Sequence, residues 1–163
     1  MAKSTASSAT WLVALRAYLL VLAVGNLIWE AAHLPLYTIW RTGTWRENAF
    51  AVVHCTGGDL LIGTASLILA LVLAGHQAWP ARRFGLVATL AMVFGLAYTT
   101  FSEWLNIVIR QSWAYSELMP VLSLGGFDLG LSPLAQWIVV PLIAFVVARR
   151  CAPDQSRPEG GNL

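Results

Sequence analysis

The stretch NAFAVVHCTGGDLLIGTASLILALVLAG, residues 48–75, decides the fold. It holds one acid, Asp59, one histidine, His54, and no lysine or arginine. A helix needs about 20 mostly apolar residues to cross a hydrocarbon core of roughly 30 Å, and this stretch exceeds that. Three runs of the same kind surround it, at 11–40, 84–110 and 133–148. The whole chain of 163 residues is 58% hydrophobic and 11% charged, with a mean hydropathy of +0.67. Soluble domains carry about 25% charged residues. In lipid every backbone polar group must be satisfied internally, which leaves helices for runs of this length. The sequence therefore predicts an all-α polytopic membrane protein, an antiparallel four-helix transmembrane bundle forming one domain over 1–150. A Pro/Gly-rich flexible cytoplasmic tail is expected at 151–163. The first three runs are longer than a span requires, so tilt or protruding helix ends are expected.

The opening MAKSTASSAT is polar and an apolar run follows, but Arg16 interrupts it and it continues past the length of a signal-peptide core. It reads as a retained first helix. Four spans put both termini on one side. That side collects Lys3, Arg16, Arg82, Arg83, Arg149, Arg150 and Arg157, against Arg41, Arg46 and Arg110 opposite. Most acids divide the other way, leaving Asp154 and Glu159 with the termini. By the positive-inside rule both termini are cytoplasmic. Cys55 and Cys151 form no C-x-x-C pair and fall on different helices, so no disulfide is expected. Between the third and fourth runs, 111–132 is long and carries aromatic and apolar residues, WAYSELMPVLSLGGF among them. It is expected as an ordered interfacial flap over the outer end of the bundle.

Polar residues are few and patterned. Asn26, Glu30, His33 and Tyr37 follow i, i+4, i+7, i+11, one face of a helix, and Thr99, Glu103, Asn106 and Arg110 repeat the spacing. His54 and Asp59 lie about 140° apart on an ideal helix. Both face inward only if the helix bends at Gly57-Gly58 or if they flank a shared interface. Counted by helical rise from Trp40, Asn48 and Arg110, His33, His54 and Glu103 lie roughly 10 Å inside, with Glu30 and Asp59 roughly 15 Å inside. All belong to the outer half, so the site is expected to face the extracytoplasmic side. Charges at such depth cost about 2.5–3.5 kcal/mol each on insertion scales and usually mark function. Interhelical polar contacts average only about 0.6 kcal/mol, too little to keep the set as packing alone.

Two histidines and three carboxylates suit a divalent metal, so Glu30, His33, His54, Asp59 and Glu103 are candidate ligands for zinc, iron or manganese. Glu30-x-x-His33 matches the spacing found in di-iron bundles. Haem between His33 and His54 is a lesser option. The same groups suit metal-free acid–base chemistry, with Glu30, His33 and Glu103 as candidate catalytic groups. Trp137, Tyr98 and Asn106 are expected to contact a bound cofactor or substrate. Asn26, Thr99 and Gln136 read as packing donors, and the tryptophans as an interfacial belt.

VFGLAYTTFSEWLN, WAYSE and LAQWIVVP together resemble the emopamil-binding-protein-like (EXPERA) membrane proteins. The resemblance implies a four-helix module whose polar residues line a cavity. It also implies proton shuttling by a histidine and acids on a lipid or isoprenoid, with Glu30 and His33 as the first-helix pair and Glu103 and Trp137 on later helices. The chain departs from that pattern in carrying His54 and Asp59 on the second helix and Gln136 before its tryptophan. A further class is an accessory subunit or small transporter working with a protein partner or as a homo-oligomer. Expected partners are the lipid bilayer and a hydrophobic small molecule. No phosphate loop, nucleophile elbow or basic nucleic-acid patch is present in the sequence.

Overall fold

A computed structural model describes residues 2–152, with side chains from residue 10 onward apart from that of 124. The expected tail beyond 152, with Asp154, Arg157 and Glu159, and the Lys3 side chain lie outside the described residues. Helix α1 runs Ala2–His33, a short α2 Ile39–Thr42, α3 Trp45–Ala74, α4 Phe84–Trp104 and α5 Leu131–Cys151. Four segments are long and apolar enough to cross a membrane: Thr10–Leu36, Trp45–Ala74, Phe84–Ile109 and Leu131–Cys151.

These boundaries correct the expected ones, each for a local reason. The run 11–40 is not one helix. Pro35 has no N–H to give and restricts Leu34 before it; α1 stops at His33 and Leu34–Leu36 winds as a 3₁₀ turn. Helix α3 starts earlier than expected because Thr44 and Glu47 form a capping box. The Thr44 hydroxyl accepts from Glu47 N–H at 3.3 Å and the Glu47 carboxylate accepts from Thr44 N–H at 2.7 Å. The run 84–110 is α-helical only to Trp104, after which Leu105–Ile109 is a π-helical turn.

Helix α1 packs on α3 and α5, and α4 packs on the same two, so the four spans close a ring. Buried positions on α1 climb in steps of about one turn, Ala14, Tyr18, Leu22, Asn26, Glu30 and His33. Those on α4 do the same, Val87, Ala91, Gly95, Thr99 and Glu103. Along both stripes the residues change from apolar to polar. Tyr18, Leu22, Leu67, Val87 and Phe145 make a continuous apolar core, with the Tyr18 and Phe145 rings 4.7 Å apart. Asn26, Glu30, Asp59, Glu103 and Gln136 form a buried polar layer beyond it. Close approach at the layer is set by Gly95, where a Cβ would run into the Trp137 ring.

Part of segment 111–132 folds as a hairpin, and its last two residues already belong to α5. Val121–Leu124 (β1) and Phe127–Gly130 (β2) pair antiparallel, Val121 opposite Gly130. The turn between them needs positive φ at both residues, which Gly125 (55°) and Gly126 (96°) adopt without a Cβ penalty. Residues before the hairpin are stitched to the end of the first span. Thr38 N–H donates to Ala114 O at 2.9 Å, Ser116 N–H to Leu36 O at 2.8 Å and the Ser116 hydroxyl to Pro35 O at 3.0 Å.

Candidate functional site

A cavity of about 430 Å³ lies in the polar layer. Eight residues expected as ligands, catalytic groups or cofactor contacts, Glu30, His33, His54, Asp59, Tyr98, Glu103, Asn106 and Trp137, contribute to its walls. They come from four helices, so the ring of spans is what assembles them.

The centre is an amide. Gln136 Nε2 donates toward Asp59 Oδ2 at 2.8 Å, Glu30 Oε1 at 3.1 Å and Asn26 Oδ1 at 3.2 Å. One side chain of α5 thereby ties α1 to α3. Glu30 uses its other oxygen, Oε2, to meet His33 Nε2 at 3.1 Å. His33 Nδ1 meets Ser132 Oγ at 3.1 Å, and the Trp29 indole N–H donates to the same Oγ at 3.2 Å. A carboxylate can only accept, so the tautomer that satisfies Glu30 carries its hydrogen on Nε2, and Nδ1 then accepts from the Ser132 hydroxyl.

Glu103 is held separately. The Tyr115 hydroxyl donates to its Oε2 and accepts from Gly130 N–H at 2.9 Å, linking the hairpin to α4. Tyr37, whose ring lies 5.3 Å from that of His33 and 5.6 Å from that of Tyr115, closes an aromatic wall beside these acids. Burial, reinforced by the neighbouring Glu103 carboxylate, pushes the Tyr115 and Tyr37 phenols above the ordinary range, so both stay neutral donors at neutral pH.

Not every expected residue joins the hydrogen-bonded set. Helix α3 is continuous through Gly57-Gly58, so Asp59 turns inward and His54, on another face, is exposed and stacks on Phe50 at 5.3 Å. Asn106 and Arg110 leave the α4 stripe because i→i+5 winding rotates them away; the Asn106 amide donates to Ser102 O at 2.9 Å and Arg110 is exposed. Tyr98 lines the cavity but is 52% exposed.

This arrangement bears on the metal. Among the described residues no group of three or more His, Cys, Asp or Glu is placed to hold an ion. Glu30 and Asp59 point at an amide N–H donor, both His33 nitrogens are engaged, and Glu103 accepts from a phenol. A cation needs those lone pairs and would be repelled by the same donor hydrogens.

Gln136, expected as a packing donor, proves central. Ser132 and Tyr115 had no sequence signal beyond their place in the long segment. No protein-family model matches this chain, and no curated protein or solved structure matches it at a significant level. What the fold and site define is thus a class, a small protein with four candidate membrane spans and, among them, a cavity that ionisable side chains help to line.

Proposed function

We propose that this chain is an integral membrane protein of four antiparallel spans with both termini cytoplasmic. Its cavity, in the extracytoplasmic half, performs metal-free acid–base chemistry on a hydrophobic, lipid- or isoprenoid-like molecule. The observation that carries the reading is the convergence of Glu30, Asp59, Glu103 and His33, from three helices, on one cavity also walled by Tyr98 and Trp137. The Gln136 amide has two hydrogens for three acceptors. Glu30 Oε1 and Asp59 Oδ2 therefore stand side by side at one donor nitrogen. Glu30 then passes or receives a proton through His33, whose other nitrogen is backed by Ser132. Glu103, held by Tyr115, is the second proton carrier on another wall. Two carriers on separate walls suit removal of a proton at one carbon and delivery at another.

A proton path across the membrane is disfavoured by the packed apolar core of Tyr18, Leu22, Leu67, Val87 and Phe145 beyond the polar layer. The test is deuterium uptake. The protein, purified without metal-affinity steps, is reconstituted with a total lipid extract of its host membranes in D₂O, and carbon-bound deuterium is read by mass spectrometry. Uptake by the native chain that falls about 100-fold or more in Glu103→Gln and His33→Ala is expected. Absence of protein-dependent uptake would remove the reading. Stoichiometric metal that is lost in His33→Ala and His54→Ala would restore a metal centre in its place.

A further inference from the structure

Helices α3 and α4 leave the cavity wall incomplete on one side. Leu61 of α3 and Tyr98 of α4 line the cavity, yet they are 74% and 52% exposed on the outer surface of their spans. A residue that belongs to both surfaces marks a gap between them. Gly58, also on the wall, has open space where a Cβ would stand, with nothing within 4 Å. At span depth this gap faces acyl chains rather than water. A second edge differs in kind: Arg110 and Ser112, polar and exposed, rim the cavity beyond the ends of the spans. Trp113 also lines the cavity, and its indole N–H is buried with no acceptor among the described residues. An indole can only donate, so the partner it lacks is an acceptor, and a buried donor left unpaired is costly.

We propose that the ligand enters sideways from the bilayer through a portal between α3 and α4, and that it is an uncharged apolar molecule bearing a hydroxyl or carbonyl oxygen, held by the Trp113 indole. This deepens the acid–base reading, on which it rests for the fate of the bound ligand. The volume of about 430 Å³ suits a ligand of drug size. An anionic head would meet the carboxyls of Glu30, Asp59 and Glu103, and a cationic head would offer the Trp113 indole no acceptor, which leaves an uncharged oxygen. The rim at Arg110 and Ser112 serves proton exchange with water while the portal serves the ligand.

The test uses the full chain in phosphatidylcholine vesicles. With Cys151→Ser, Cys55 on the cavity wall is the remaining thiol. Its labelling rate by N-ethylmaleimide, which partitions into the bilayer, should fall about tenfold in Gly58→Leu and fall less in Gly58→Ala, as the portal fills. Photolabelling by a diazirine-bearing long-chain alcohol should fall about tenfold in Trp113→Phe, while labelling by the matching hydrocarbon diazirine is unchanged. Equal maleimide rates in all three backgrounds would overturn the portal, and equal loss or retention of both photoprobes in Trp113→Phe would overturn the oxygen contact. Glu103→Gln separates this inference from the chemistry. Retained labelling with lost deuterium uptake supports both, while blocked labelling in Gly58→Leu with undiminished uptake sinks the portal alone.

Discussion

Gln136 and Tyr115 show how single side chains set the site. Gln136 is buried and serves acceptors on two other helices. In Gln136→Leu three buried acceptors lose their donor at once. The expected loss is about 1–3 kcal/mol of stability, read as a lower melting temperature in detergent. Gln136→Glu should be worse, because it adds a third carboxyl to two. Tyr115 gives a pH prediction. Its folded pKa lies above the unfolded value near 10, so its contribution to stability is complete below that value and is lost as pH rises through the higher folded one. Phenolate absorbance should show late-titrating tyrosines, one fewer of them in Tyr115→Phe, with the hairpin loosening only in strong alkali. A Tyr115 phenolate absorbing at the pH of a free tyrosine would contradict the geometry. At this scale the sequence was partly legible. A lone glutamate or histidine in an apolar run stands out, while an amide such as Gln136 looks the same whether it packs or organises.

At the scale of elements, two glycines on neighbouring helices predict opposite outcomes. Gly95→Ala drives a methyl into the Trp137 ring and should cost about 1–3 kcal/mol by overpacking. Gly58→Ala meets open space in mid-helix and should stabilise by about 0.5–1 kcal/mol, since alanine is the better helix former. Thermal melts of the two variants check both signs. Existence and approximate length of the spans were readable, because length and apolar content answer to the thickness of the bilayer. The ends were not all read. Pro35 and the Thr44–Glu47 box are local signals that a hydropathy run passes over. The π turn at Leu105–Ile109 has no such signal, and it is what takes Asn106 and Arg110 off the stripe. The hairpin's Gly125-Gly126 turn was visible as a glycine pair, but its strands are only four residues each and carry little pattern.

For the whole molecule, the proposed topology places Cys151, exposed at the end of α5, on the cytoplasmic face. In a Cys55→Ser background a membrane-impermeant maleimide should label it in inverted membrane vesicles and leave it unlabelled in right-side-out ones; the reverse pattern would invert the orientation. Residue order sufficed to predict four spans with ionisable groups clustered at one height, because both readings rest on local hydropathy and the rise of a helix. It also nominated eight of the residues that line the cavity. Which of them touch was settled by packing between the spans. Asp59 faces Gln136 while His54 faces out, the Glu30 and His33 pair is backed by Ser132, and Glu103 is tied to the hairpin through Tyr115. A hydrogen bond depends on a few tenths of an ångström and on the rotation of each helix about its axis. Neighbouring spans, a proline stop and a π turn set those quantities together, and no single segment contains them.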